Sequence, residues 1–519
     1  MTFPRKIGLL LLLVAVAAAA GHEYGLALPS LRWFFSFDAE PGAFAAGDWR
    51  AEQGRWIGHA LCGLMALAGL LMVFRGGDFQ WNPLTLRKFT RFRSIGRGWL
   101  SFRLLVLLLG VAMLDQALVG RKALAVCQQG KWCFPAFQRK IFSEKDFGGS
   151  GEQEADYRAL RERFLKANAG DRVILAPIPW DPTFDSDDVL KYPLTAIDGV
   201  LYASPKGGEP YNGQAVRFRA DAPEVKERAA SFRHGVREGV SSVYDAQGRF
   251  LGRETWSKGE RTASTVPGDA PETAGEWFQL VYPPAPPSFA ERHFLGTDSK
   301  GWDIAAQLFG GLQVVFKASA FYLALTYALG ITLGCLMGYF GGLFDLVMQR
   351  LIEVLSNVPF LLVVMIITAN LGRDNIALAN ILLIYCLFSW IGVAVYLRTT
   401  TFREKARDYV AAARVQGAGT TRVIFRHILP NSMSTLVTLL PFSIAGLVTS
   451  LTAMDFLGFG LPDRYPSWGR VLDDATANLD ALWIVSSVFT AMVGLLLLIT
   501  FVGEAVREAF DPKKFTTYR

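Results

Sequence analysis

The feature that most narrows what this chain can fold into is the gathering of its apolar residues into blocks about 20 residues long, the length that crosses a ~30 Å hydrocarbon core. Such blocks run Ile7–Leu26, Trp56–Phe74, Trp99–Val119, Ala318–Phe340, Leu346–Asn370, Ala377–Leu397, Met433–Phe456 and Leu482–Val502. Backbone polar groups in lipid must be satisfied within the segment, so each block is predicted to be a helix. The expected fold class is an all-α polytopic membrane protein with one large insert outside the bilayer.

Charge orients the helices. The net charge of +7 is not spread evenly. Arg75, Arg87, Lys88, Arg91, Arg93 and Arg97 lie between the second and third blocks, with Asp78 the sole acid there. Arg403, Lys405, Arg407 and Arg414 surround an Ala-rich stretch, and Arg507, Lys513, Lys514 and Arg519 close the chain. Alternating basic loops orient a membrane protein and attract anionic lipid headgroups, which makes membrane lipid a partner and argues against nucleic acid. The first block, M-T-F-P-R-K followed by a run ending A-A-A-A-G, also fits a cleavable signal peptide. Its apolar character continues to Leu26, and either reading leaves residues 27–55 outside. Parity then carries the Ala-rich stretch into the cytoplasm, as its charge requires.

Residues 121–308 hold no spanning stretch and end in the Pro-rich Tyr282–Pro287. Within them D-G-V-L-Y (198–202), G-Q-A-V-R-F-R (213–219) and the run 240–256 alternate with period 2 between Gly-containing turns, predicting β-hairpins over about 197–265. The spacing of Gly235, Gly239, Tyr244, Gly248, Gly252 and Gly259 resembles MORN-type hairpin repeats, a pattern that any β-meander also produces. A hairpin stack suits the docking of another protein. Cys127 and Cys133 fall in this insert and are either a disulfide or two free thiols, while Cys62, Cys335 and Cys386 read as core residues of the spans. No metal site is expected, since the chain has no CxxC, HExxH or acid-rich calcium loop.

Between Tyr409 and Asn431 the chain reads Y-V-A-A-A-R-V-Q-G-A-G-T-T-R-V-I-F-R-H-I-L-P-N, a polar, helix-prone segment wedged between two apolar blocks. Ala411, Ala412 and Ala413 let another protein's surface approach the helix backbone, Gly417 offers a turn, and Pro430 marks where the next helix starts. The segment resembles the coupling loop of importer-type ABC permeases, the part of the membrane subunit that sits in a groove of the ATPase. Ala411 stands where the general motif has Glu, and His427 where it has Ile; both variants are typical of the oligopeptide-transporter branch.

Other stretches carry the same resemblance. H-F-L-G-T-D-S-K-G-W-D (293–303) is similar to an element at the outer mouth of peptide-transporter permeases, with Trp302 replacing an Arg and Gln313 a second one. In it Gly296 and Gly301 permit tight turns beside Thr297, and Asp298 and Asp303 either cap the following helix or contact substrate. G-Y-F-G-G-L-F-D-L-V-M-Q-R-L-I-E-V-L-S-N-V-P (338–359) resembles the family hairpin, placing Asp345 and an i,i+3 pair, Arg350 and Glu353, near the cytoplasmic interface, with Pro359 kinking the helix. In S-L-T-A-M-D-F-L-G-F-G-L-P (450–462), Asp455 either faces the translocation path or is neutralised at the interface or by a partner's Arg. At the end, Glu504 and Arg507 are again spaced i,i+3.

These matches resemble the second permease subunit of dipeptide/oligopeptide ABC importers, and K-W-C-F-P (131–135) and S-E-K-D-F-G-G (143–149) point to the YejE-type branch associated with microcin C and peptide uptake. The resemblance implies a type I permease of six core helices, with two extra N-terminal ones. Its parts are 1–75 (the extra pair), 76–120 (basic segment and first core helix), 121–308 (periplasmic insert) and 309–519 (permease core, coupling loop about 403–431). It implies a bacterial inner-membrane location, a second homologous permease, partner ATPase subunits that hold ATP and Mg, and a periplasmic peptide-binding protein. The chain has no G-x-x-x-x-G-K-[ST] loop, so it is expected to be no enzyme and to hold no cofactor itself. The rivals are an ion-coupled secondary transporter and a membrane-anchored periplasmic receptor.

Overall fold

The computed structural model describes residues 3–23, 49–75 and 83–510, except 139, 150, 152, 168–169, 184–188, 204–206, 220–221, 223–224, 268–275, 290 and 372–377. Asp78, Lys513, Lys514, Arg519 and most of the expected outer loop 27–55 therefore lie outside the described residues. The chain forms two units: Met1–Asp185 with Pro287–Gly296 and Trp302–Arg519, and Ser186–Pro286 with Thr297–Gly301.

In the first unit, helices α1 (Phe3–Glu23) and α2 (Trp49–Arg75) pair closely because both are glycine at the crossing. A Cβ on Gly8 would lie 2.7 Å from the Gly69 carbonyl oxygen. Small residues at such crossings let helix backbones touch where lipid offers no hydrophobic drive. Next, α3 (Pro83–Ser94) and α4 (Gly96–Ala112) meet at a 96° bend around Ile95, which is extended. The third apolar block ends as a helix at Ala112, short of the expected Val119. Asp115 turns the chain with a φ of 40°, and Gln313 Nε2 donates to the freed Ala112 carbonyl at 2.8 Å.

A small layer follows, in which β1 (Ala125–Gln128) pairs with β2 (Lys131–Cys133) and β3 (Arg172–Ile174), and α5 (Tyr157–Ala167) covers them. Val126, Phe147, Tyr157, Leu160 and Phe164 form its core.

The long helices come next: α6 (Ile304–Phe340), α7 (Gly342–Asn357), α8 (Phe360–Leu371) and α9 (Leu378–Lys405). Gly330, Gly334 and Gly338 recur every fourth residue along α6 and form a flat strip against α9. A Cβ on Gly334 would stand 2.5 Å from the Ala394 carbonyl oxygen, and one on Gly338 2.6 Å from that of Arg398. Pro359 separates α7 from α8 with a 72° bend, so the fifth block is broken rather than kinked. The chain then runs through α10 (Asp408–Val415), the single turn α11 (Thr420–Arg422), α12 (Leu429–Phe456), α13 (Trp468–Ala477) and α14 (Leu482–Phe510). Ile304, Val448, Trp468, Ile484 and Val488 sit in the largest buried cluster, and Trp468 Nε1 donates to the Leu308 carbonyl at 2.8 Å. Gly98 of α4 packs against α14, where a Cβ would fall 2.0 Å from that of Ala505. Among the described residues four helices are long and apolar enough to cross a membrane, or up to 6 if each bent pair is one span.

The second unit is a 9-stranded antiparallel sheet. Its strands are β4 (Leu190–Ile197), β5 (Val200–Tyr202), β6 (Gly213–Phe218), β7 (Lys226–Arg233), β8 (Val236–Arg237), β9 (Gly239–Tyr244), β10 (Phe250–Ser257), β11 (Glu260–Ser264) and β12 (Trp277–Val281). The order is β11-β10-β9-β7-β6-β12-β4-β5, with β8 beside β7. Successive hairpins at β9–β10 and β10–β11 follow the expected meander. Strand β12, however, inserts between β6 and β4, which a plain stack of hairpins lacks, and the sheet reaches beyond 197–265 at both ends. Arg228 and Glu254 form a fully buried ion pair at 2.6 Å in this unit.

Candidate functional site

Helix α10 is stopped by glycine chemistry. Gly417 has a φ of 81°, and the N–H groups of Gly417 and Ala418 donate back to the carbonyls of Arg414 (2.9 Å) and Ala413 (3.0 Å), a Schellman closure. Ala413 turns inward and is buried, while Ala411, Ala412 and Gly417 are exposed. Val415 is 88% exposed beside them, so the knuckle presents a small, largely apolar tip. Its base is packed: Val410, Val423 and Ile428 are buried together against Tyr339 at the end of α6. The Arg414 guanidinium lies 5.0 Å from the Tyr339 ring, and Lys405 Nζ donates to the Tyr339 carbonyl at 2.5 Å. Glu404 gathers the neighbouring charges, accepting from Tyr409 Oη at 2.9 Å and facing Arg403 and Arg407 at 3.8 Å each. Burial pushes the Tyr409 phenol above its ordinary value.

Pro430 sits in the first turn of α12, as expected, but that helix does not begin afresh. Residues Val423–Ile428 form a π-helical stretch that runs straight into α12, with Leu429 N–H donating to Ile424. A proline ring clashes with the carbonyl four residues back, and the wider turn makes room for it. His427 is half-buried in that stretch, its carbonyl accepting from Asn431 Nδ2 at 2.9 Å.

Sequence reasoning missed what ties α9, the helix leading into this knuckle, to α7. Asp345 on α7 receives a two-pronged grip from Arg398 of α9, Nε to Oδ1 at 2.5 Å and Nη2 to Oδ2 at 2.6 Å. Arg398, the first charged residue along an otherwise apolar helix, is the available signal. Arg350 and Glu353 do pair, at 2.5 Å, but on the surface. Glu504 faces Arg97 at 3.4 Å, because packing of α4 on α14 brings that arginine within reach.

The boundary between the two units runs through the expected mouth motif. In the first unit, Gly296 has a φ of 80° and its carbonyl accepts from Ile304 N at 3.1 Å. Asp303 is the helix cap: Oδ1 accepts from Ala306 N at 2.7 Å, and Oδ2 lies 2.9 Å from Nδ1 of the equally buried His293. His293 in turn stacks on Trp180 at 4.0 Å, a support that the sequence did not disclose. In the second unit, Thr297 Oγ1 accepts from Ala285 N at 2.8 Å, and Asp298 holds a turn by accepting from Lys300 N at 2.9 Å, closed by Gly301 with a φ of 80°. The N-cap of α6 is thus Asp303.

Asp455 is buried at the end of α12 and engaged locally. Its oxygens accept from Leu461 N at 2.6 Å and Ser467 Oγ at 2.5 Å, fastening the loop before α13. Gly460 and Gly469 make room for it, since a Cβ on Gly460 would stand 1.7 Å from Oδ1. Cys127 and Cys133 are free thiols. Cys133 stands opposite Val126 in the hairpin, and alternation puts neighbouring Cys127 on the other face, so the register opposes a disulfide.

Residues 330–516 match the family model for the binding-protein-dependent transport system inner membrane component. Over 439 residues the chain is 30% identical to the peptidoglycan transport system permease protein YejE of Agrobacterium fabrum, spanning 84% of this chain and 94% of that protein. It is 29% identical over 433 residues to the inner membrane ABC transporter permease protein YejE of Escherichia coli, 83% of this chain and 98% of that one. A shorter match, 31% over 233 residues, joins it to the dipeptide transport system permease protein DppC of Haemophilus influenzae, 44% of this chain and 78% of that protein.

Proposed function

Because this chain belongs to the peptide ABC-transporter permeases of the YejE type, multi-pass proteins of the inner membrane, we propose that it forms half of a translocation path for oligopeptides or peptide-like compounds, powered by a partner ATPase. The observation that carries this reading is the knuckle Ala411–Gly417. Its tip is small and exposed while its base is packed on the end of α6, and α9, which leads into it, is held to α7 by Arg398 and Asp345. A rigid lever with a small-residue tip suits a motor that grips it and pulls.

A second, homologous permease completes the path, the ATPase subunits hold ATP and Mg, and a periplasmic binding protein delivers substrate to a face that includes the insert. Relatives are named for dipeptide and for peptidoglycan transport, which supports a peptide-bearing cargo; microcin C-type peptides are one case of the proposed cargo. Asp455 serves the loop before α13 rather than the substrate, and Asp455→Asn should leave substrate preference unchanged. The test of the whole reading is affinity purification of the tagged chain in mild detergent. Wild type should bring down an ATPase and stimulate its hydrolysis; Gly417→Asp should lose it. An ATPase retained equally by both would sink the reading.

A further inference from the structure

The helices leave an open groove of about 590 Å³ that the transport reading does not use. Its walls are Leu108 of α4, Leu308 and Leu312 of α6, Trp468 of α13, and a line along α14 from Thr490 to Phe501. Apart from Thr490 and the Trp468 indole, whose N–H is already donated to Leu308, the lining is apolar. At 1.5 Å per residue the line on α14 is about 16 Å long, close to one leaflet of a ~30 Å hydrocarbon core. Gly494 stands near its middle, and a Cβ there would meet nothing within 4 Å, so the missing side chain keeps the groove continuous.

The end of the groove at Phe501 leads to a basic surface. Helices α3 and α4 meet at 96°, so α4 crossing the membrane lays α3 along its face. Phe92 anchors α3 on Val502, Ala505 and Ala509 of α14, just beyond Phe501. Leu86 and Phe89, on the same side of α3 as Phe92, are exposed, as an interfacial helix requires. Arg97 faces Glu504 at 3.4 Å and Arg93 lies 5.8 Å from the Trp99 ring, yet both arginines stay exposed, as does Arg87. A headgroup layer responds to net charge, so these contacts do not remove the attraction. Between positions 75 and 97 six basic residues stand against Asp78, and the acids Glu504, Glu508 and Asp511 are matched by Arg507, Lys513 and Lys514. The excess is therefore positive over both segments. Basic residues beside a gap between spanning helices, on the cytoplasmic side, are the recurring setting for an anionic headgroup.

We propose that this groove holds one acyl chain of an anionic phospholipid whose headgroup lies against Arg87, Arg93 and Arg97. The site rests on the inner-membrane placement and on no property of the cargo. The experiment is native mass spectrometry of the full-length chain in mild detergent, titrated with dioleoylphosphatidylglycerol or with dioleoylphosphatidylcholine, which shares its chains but has no net charge. Wild type should retain one phosphatidylglycerol at a concentration at least fivefold lower than that needed for phosphatidylcholine. Gly494→Leu fills the groove without meeting protein and should weaken retention of both lipids at least fivefold. Arg87→Gln with Arg93→Gln and Arg97→Gln should abolish the preference while leaving phosphatidylcholine retention in place. Equal retention of the two lipids by wild type, a preference that survives the triple variant, or retention unmoved by Gly494→Leu would overturn the site. So would a cross-link from Gly494→Cys to a partner permease, since a protein would then cover the groove. The wild-type comparison does not depend on how the variants fold. ATPase capture is read from the same preparation, so selective lipid retention without an ATPase would support the site while removing the transport reading.

Discussion

Asp345 shows how one residue links two helices through a partner 53 positions away in the sequence. Its carboxylate is largely buried and held by both prongs of Arg398, with Gln349 Nε2 adding a third contact at 3.3 Å. Removing one partner leaves the other charge poorly solvated, at a cost between that of exposed and fully buried pairs, about 1–3 kcal/mol. Asp345→Asn should therefore lower the thermal midpoint of the detergent-solubilised chain, whereas Glu353→Gln, which breaks a surface pair, should not. Equal effects would mean that the Arg398 grip contributes little. The buried carboxylates of Asp303 and Asp455 follow the same logic: one accepts from the backbone N–H of Ala306 at a helix start, the other from that of Leu461 in a loop, groups that would otherwise be orphaned.

Among the elements, helix contact is decided by where side chains are missing. The strip Gly330, Gly334 and Gly338 allows α6 and α9 to approach so closely that even a methyl group meets backbone. Gly334→Ala is expected to destabilise by about 1–3 kcal/mol through overpacking. Gly392→Ala, where a Cβ meets nothing within 4 Å, should be neutral or slightly stabilising. Thermal scans of the two variants side by side check this. In the sheet, the β9–β10 turn is held by Asp245, which accepts from the N–H groups of Arg249 and Gln247 and from the Arg249 side chain. Those bonds, the Arg249 N–H first, hold its carboxyl below the ordinary value. A depressed folded value means that its contribution is complete above the unfolded value of about 4 and fades as pH falls through the folded one. Amide exchange at residues 247–249, corrected for its intrinsic rate, should accelerate below about pH 4 in wild type and show no such step in Asp245→Asn.

For the molecule as a whole, the two units have separate cores. The sheet is built round Leu194, Ala215, Phe232 and Trp277, and the helices round Ile304, Val448 and Ile484. Replacing residues 186–286 with a short flexible linker should leave the helical signal and ATPase capture intact, and circular dichroism with co-purification reads both. Loss of helix would show that the units depend on each other.

The sequence by itself determined that the chain carries several long apolar helices, that its insert is rich in β-hairpins and that Gly417 ends a short helix, because each rests on local rules: length of apolar runs, period-2 alternation, and glycine where φ must be positive. The breaks at Ile95 and Pro359, the π-helical entry to α12 and the insertion of β12 between β6 and β4 came only with the tertiary structure. So did the Arg398–Asp345 grip and the support of Asp303 by His293. These depend on residues far apart in the chain meeting in space, where close packing and the need to satisfy buried polar groups select one partner among many that spacing alone would allow.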